Sequence, residues 1–407
     1  MPSTPPEGEA APVDGSLPDS AVTSLASTSF SAYVHVPFCV TRCGYCDFNT
    51  YTATELGGSS HESYVRAVLA EIALTGDVVP GAPPLSTVFF GGGTPTLLSA
   101  DDQVRILRAL IDRFGITDDC EVTSEANPES VTPTQLRALR AAGVNRISFG
   151  MQSAVPHVLA TLDRTHTPGR VAEALEEARS EGFDNISLDL IYGTPGESID
   201  DWKRTLDVAL SLAPDHISAY ALIVEPGTAL SRRIDRGEIP PVDDDDQAEK
   251  YEIADAALSS EGLSWYELSN WSRSATTQCR HNLAYWRGAN WWGFGPGAHS
   301  HVGGVRWWNV KHPRAYGERL AAHQSPALAR EVLAAEQQAF ERTLLEVRLR
   351  DGLRVETLDS SAERTASALV SEGMLDAKQW STGRLVLTLR GRLLADLVVR
   401  RLTDASG

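Results

Sequence analysis

The chain has 407 residues, 42% of them hydrophobic and 22% charged, which suits a globular protein with one large domain and one smaller one. The formal net charge of -18 disfavours non-specific binding to nucleic acid or to anionic membranes, and no apolar stretch reaches membrane-spanning length. Five cysteines, three of them crowded into Cys39–Cys46, do not make a disulfide framework; clustered thiols point to metal binding in a reducing cytoplasm.

Residues 1–30 contain no Lys or Arg and no apolar run. They lack the basic start of a secretory signal and the arginines of a mitochondrial presequence, and they read as a disordered tail. From 31 to 235 short β-branched or aromatic runs alternate with longer helical stretches. Strands are expected at Tyr33–Pro37, Thr87–Phe90, Glu121–Ser124, Arg146–Phe149, Ile186–Ile191 and His216–Ile223. Helices are expected near His61–Leu74, Asp101–Phe114, Pro133–Ala142, Gly169–Glu181 and Ile199–Leu212. Six strands alternating with helices imply a parallel α/β sheet, curled into a partial (β/α)6 barrel. Its site should lie at the carboxyl ends of the strands. Residues 236–320 form a Trp-rich extension, entered through the acidic run Asp243–Asp246, which suits a helix N-terminus. Residues 321–407 read as helices, a short hairpin at Gly383–Thr388 and a last helix: a small winged-helix-like α+β domain, in structural or partner-docking use.

After the first strand stands His35-Val-Pro-Phe-Cys39-Val-Thr-Arg-Cys43-Gly-Tyr45-Cys46-Asp-Phe48. Three thiolates on one tight loop can grip three irons of a [4Fe–4S] cubane and leave the fourth iron without a protein ligand. Chemistry needs such an open position, as it does at catalytic zinc. The bland alternative is three buried or zinc-binding cysteines. A structural zinc would want a fourth ligand nearby, and the one candidate, His35, sits inside the strand.

With this motif in place, region 31–315 resembles the radical S-adenosylmethionine (SAM) relatives of oxygen-independent coproporphyrinogen III oxidase, and the C-terminal domain fits the same group. The resemblance implies that the open iron chelates the amino and carboxylate groups of SAM. An electron from the cluster then cleaves SAM to a 5′-deoxyadenosyl radical. It also implies roles for particular residues. The glycine edge Gly91–Pro95, with Gly92, Gly93 and Thr94, would receive the methionine amino group. Tyr33 matches a tyrosine near the cluster, Tyr45 an aromatic packed on adenine, and Glu125 a SAM-binding acid. Gln152, Arg164 and Asp189 match positions that contact a second SAM. Taken singly, each has a plainer reading as a core aromatic, a turn or a salt-bridged polar group. Asp189 is the least easily dismissed, because an unpaired carboxylate within an apolar strand is costly.

Two departures count against the oxidase. Its fourth cysteine, two residues after the third, is Phe48 here, and the tail offers no arginine before Arg42 to hold a substrate with four carboxylates. In the Trp-rich stretch, His281-Asn282-Leu-Ala-Tyr285-Trp286 resembles the HNxxYW motif of the heme chaperones in this group. A neutral imidazole suits heme iron, and aromatic neighbours suit the macrocycle. His281 is therefore a candidate heme ligand, with His299, His301 and the thiol of Cys279 as alternatives. The expected cofactors are the [4Fe–4S] cluster, SAM and heme. The expected partners are an acceptor hemoprotein and, by family analogy, a reductant such as flavodoxin or ferredoxin.

Overall fold

The computed structural model describes residues 8–26, 28–164 and 168–404. Its described amino-terminal residues correct the expectation of a disordered tail over 1–30, of which residues 1–7 and 27 lie outside the described residues. Strand β1 (Glu9–Ala10) pairs with a strand more than three hundred residues later, and helix α1 (Asp19–Leu25) buries Ala21 and Leu25 in the main core. Small apolar residues at helical spacing, hidden in a Pro- and Ser-rich stretch, carry that packing.

The alternating pattern then forms as expected: β2 (Phe30–Val36), α2 (His61–Val78), β3 (Leu85–Gly92), α3 (Ala100–Phe114), β4 (Ile116–Ala126), α4 (Pro133–Ala141), β5 (Arg146–Gln152), a short α5 (Pro156–Thr161), α6 (Pro168–Ser180), β6 (Ile186–Tyr192), α7 (Ile199–Ser211) and β7 (His216–Ala221). The helix starts have local causes. Ser60, Ser99, Thr132 and Ser198 accept hydrogen bonds from the N-terminal turns of α2, α3, α4 and α7, and acidic residues sit in the first turns of α3 and α7. Gly143, at φ +109°, turns the chain after α4 in a conformation that other residues resist.

The Trp-rich region extends this same sheet. After α8 (Ala229–Asp235) and α9 (Asp244–Ser260), β8 (Ser264–Glu267) and β9 (Asn270–Ser272) add antiparallel strands beyond β7. Next come α10 (Arg280–Trp286), β10 (Asn290–Phe294), β11 (His299–Val302), β12 (Val305–Asn309), α11 (Pro313–Ala321) and β13 (Ala327–Val332). Strand β10 lies parallel to β2 on its free side, so the parallel run has seven strands where six were expected. The full order is β1-β13-β12-β11-β10-β2-β3-β4-β5-β6-β7-β9-β8. Side chains from β2 through β7, and from β11, line one shared cavity, so the sheet curls around it.

The acidic run behaves as expected at its start, where Asp243 caps α9. Asp246 does more, since its carboxylate meets the buried Lys250 Nζ at 2.6 Å, and Glu197 Oε2 lies 3.3 Å from the same ammonium.

The C-terminal unit has its own small core, built on Val347, Leu353, Leu369, Leu385 and Val398. It comprises α12 (Ala335–Glu346), β14 (Leu353–Arg354), α13 (Ser360–Ser371), α14 (Ala377–Ser381), β15 (Arg384–Leu385), α15 (Leu389–Leu393) and α16 (Ala395–Asp404). The expected hairpin at Gly383–Thr388 is absent; β15 pairs with β14 instead, across the two helices between them. Residues 327–332 belong to the large sheet, which moves the expected boundary from 321 to the start of α12. Arg392 docks the unit on α9 with a bidentate pair to Asp255 at 2.7 and 2.8 Å, its guanidinium 4.5 Å from the Trp265 ring.

Glu71 on α2 is buried at the join between the barrel and the added strands. It accepts from Gly295 N at 2.8 Å, from Asn309 Nδ2 at 2.7 Å and from the Tyr316 hydroxyl. Burial pushes its carboxyl up from 4.5 to about 7, while those three donors hold it back. A raised carboxyl favours the folded state at low pH. Its contribution is full below about pH 4.5 and is lost as pH rises through about 7, by up to about 3 kcal/mol. Glu71→Gln should therefore flatten the fall in urea midpoint between pH 5 and 8. An unchanged slope would show that Glu71 stays ionised in the fold.

Candidate functional site

The three clustered cysteines follow β2 on a loop that is closed at its base. Cys39 N donates to Tyr51 O at 3.1 Å, Cys46 N to Cys43 O at 3.1 Å, and Gly44 N to Leu162 O at 3.1 Å. Asn49 ties the end of the loop to Pro296 O and Lys311 O at 2.9 and 2.8 Å. All three thiols are partly exposed and unpaired, and they line the mouth of a cavity of about 1200 Å³. Burial pushes the Cys39 thiol up to about 11, its neighbour Cys46 adding to the shift while the Thr94 side chain opposes it. Arg164 brings Nη1 to 3.5 Å from Cys43 Sγ. His35 is no fourth ligand, because its ring nitrogens engage the Tyr33 hydroxyl at 3.0 Å and Asn49 O at 2.9 Å.

Among the described residues no three His, Cys, Asp or Glu side chains converge on one point as a single ion requires. A cubane asks for something different, since each thiolate takes a separate iron and the sulfurs stand apart. The donor set, three thiols on one loop and no fourth protein ligand among them, fits that demand and not a closed zinc site.

Below the loop, the end of β3 turns inward. Gly92 has φ +111°, and its N–H donates to Glu125 Oε2 at 3.1 Å. Gly93 and Thr94 are fixed to Val36 O and Phe38 O, each at 2.8 Å, and a Cβ on Gly93 would meet Phe38 O at 2.5 Å. Burial raises the Glu125 carboxyl to about 8, with Asp189 adding to it and the Gly92 N–H opposing. Asp189, from β6, accepts from Ser148 Oγ through both oxygens, at 3.1 and 3.0 Å. Gln152 ends β5 at φ +63°, and Arg164 Nη2 reaches Gly150 O at 3.1 Å. The Nε of Arg164 is buried without a hydrogen-bond partner, a donor still available to a polar ligand. All the site residues expected from sequence line this one cavity, from Tyr33 and Tyr45 at its wall to Asp189 within it.

The HNxxYW stretch lies at the other end. Helix α10 closes the cavity toward the amino ends of the strands. Glu121 on β4 accepts from the N–H groups of Arg280 and His281 at 2.9 and 3.0 Å. The His281 ring is 1% exposed and stacks on Phe89 with centroids 5.1 Å apart. Its Nδ1 meets Thr87 Oγ1 at 2.6 Å, and its Nε2 meets the Tyr285 hydroxyl at 2.8 Å. Burial lowers its pKa to about 3, so the imidazole is neutral. Of the alternatives, His299 lines the cavity and stacks on Trp308. His301 lies outside it, with Nδ1 3.0 Å from Ala289 O. The Cys279 thiol is buried and pushed up to about 12 by that burial, which disfavours a thiolate ligand.

The sequence reading missed part of the cavity floor: Arg146, Ser148, His216, Ser218 and Asn270. The signal was legible. Arg146, Ser148 and Gly150 alternate with Ile147 and Phe149, and His216 and Ser218 flank Ile217, a period of two with the polar side turned inward.

Residues 33–209 match the radical SAM superfamily. The heme chaperone HemW of Mycobacterium tuberculosis (strain ATCC 25618 / H37Rv) is 52% identical over 373 residues, covering 92% of this chain and 94% of that protein. The heme chaperone HemW of Bacillus subtilis (strain 168) is 35% identical, covering 90% of this chain and 97% of that protein. Among solved structures, coproporphyrinogen III oxidase (HemN) from Escherichia coli superposes with a TM-score of 0.79 at 22% identity, over 95% of this chain and 91% of that one. At that identity the likeness speaks for the fold alone.

Proposed function

This chain belongs to the HemW family of radical SAM proteins, and from that premise we propose that it is a heme chaperone, binding heme and passing it to an acceptor hemoprotein. The observation that supports this most is the shared cavity. The wall that carries the neutral His281 and the mouth that carries the three thiols line one continuous cavity.

Cys39, Cys43 and Cys46 would hold a [4Fe–4S] cluster, and Gly92, Gly93, Thr94 and Glu125 would hold SAM beside it, with Gln152, Arg164 and Asp189 available to a second polar ligand. When bound, that pair supplies one-electron cleavage of SAM. The chain's own residues do the rest. Glu125 and the Gly92 N–H hold each other in place at the cavity wall. Arg164 keeps positive charge beside Cys43. Burial keeps His281 neutral at physiological pH, the form in which an imidazole would bind iron. Thr87, on Nδ1, fixes the ring's orientation, so Nε2, now paired with the Tyr285 hydroxyl, would be the nitrogen to hold iron.

The protein would work in the cytoplasm with a small reduced flavodoxin or ferredoxin as electron donor. Among the described residues no helix is long and apolar enough to cross a membrane. Coproporphyrinogen decarboxylation is not expected, because Phe48, half-exposed beside the thiols, replaces the cysteine found in the oxidases. The deciding experiment is a heme titration of the anaerobically reconstituted protein, followed by absorbance. Saturation at about one heme per chain is expected. No specific binding would overturn the reading and turn attention to porphyrinogen turnover with SAM and a reductant.

A further inference from the structure

Arg146 opens β5 inside the barrel and is 2% exposed, yet its guanidinium has no hydrogen bond to any described residue, and its Nε is buried without a partner. Besides the Cys279 thiol, three carboxylates lie near enough to be felt, and all already hold other donors, Glu125 accepting the Gly92 N–H. Glu121 accepts the N–H groups that open α10, and Asp189 accepts the Ser148 hydroxyl through both oxygens. None reaches ion-pair distance of Arg146 among the described residues. A planar guanidinium that lines the cavity with its Nε buried and unpartnered matches one kind of ligand group above others: a carboxylate taken side-on through two N–H bonds.

Its position narrows the source of that carboxylate. Arg146 lies six residues before Gln152 along β5, and three strand residues, about 10 Å, below the level of Gly92 rather than beside it. Strand register instead sets Arg146 level with Thr123 and Phe89, and the His281 ring stacks on Phe89. The candidate iron ligand and the unused guanidinium thus share one level of the barrel. The floor around Arg146 carries Ser148 and Ser218, too polar for a macrocycle face and suited to an acidic arm. We propose that Arg146 anchors a propionate carboxylate of the bound porphyrin. This rests on the heme-chaperone reading and adds to it the group that orients the cargo.

The test compares heme with its dimethyl ester, which lacks the propionate charges, on wild type, Arg146→Gln and Arg146→Lys. Wild type should bind heme about ten- to a hundredfold more tightly than the ester. Arg146→Gln should lose that preference, its heme affinity falling to that of the ester while ester affinity stays at the wild-type level, and Arg146→Lys should recover part of it. The proposal is overturned if wild type does not distinguish the two porphyrins. It is equally overturned if Arg146→Gln weakens both alike, or if the variant loses SAM affinity while heme binding is unchanged, which would assign the anchor to the SAM carboxylate. A wild type that binds neither porphyrin would instead defeat the chaperone reading itself, a pattern distinct from these.

Discussion

Replacing Cys39, Cys43 and Cys46 together with Ala is expected to abolish the iron–sulfur absorbance of the reconstituted protein while leaving the fold in place. The thiols are only partly buried, and the loop that carries them is closed by backbone bonds and by Asn49, none of which needs sulfur. A stability change within about 1 kcal/mol is expected, as for other substitutions away from the core. Stoichiometric iron and sulfide in the triple variant would show that the cluster sits elsewhere. The same variant asks what the cluster does for cargo. If SAM and the cluster gate heme release, transfer to an acceptor should change in rate. Transfer identical to wild type would leave the cluster without a part in it.

Removing the His281 imidazole should weaken heme binding on the order of 100-fold, about 2.7 kcal/mol. The opposite sign is expected for Tyr285→Phe. In the heme-free protein the Tyr285 hydroxyl occupies Nε2 at 2.8 Å, so heme must compete with it. A buried hydrogen bond of this kind contributes about 0.5–1.5 kcal/mol, and its loss should tighten heme binding by a few-fold to about tenfold. His299→Ala should leave affinity unchanged. If His299→Ala carries the loss and His281→Ala does not, the ligand is the histidine stacked on Trp308, and α10 is only the closure of the barrel. A loss on Tyr285→Phe as large as on His281→Ala would mean that the two side chains act as one structural unit and that Nε2 never reaches iron.

Hydrophobic period and local spacing determined much of this protein without any tertiary contact. Strand-length apolar runs from Phe30 to Ala221, each bounded by capping and turn residues, fixed the alternating order and hence the parallel barrel. The cysteine loop was legible because its three thiols lie within eight residues of one another, so the chain itself enforces their proximity. Other features needed the folded structure, for a common reason: their partners are distant in sequence. Strand β10 joins the barrel through β2, some 260 residues earlier, and no local pattern separates a seventh parallel strand from an appended Trp-rich domain. The tail packs because β1 finds β13. The floor of the cavity is set by Glu121 meeting α10 and by the pairing of Thr87 with His281, contacts that span more than 150 residues. That geometry also decides availability. Sequence can nominate His281 as a ligand, but only the tertiary structure shows both its nitrogens engaged, and only there does Arg146 stand out as a buried guanidinium whose Nε has no partner among the described residues.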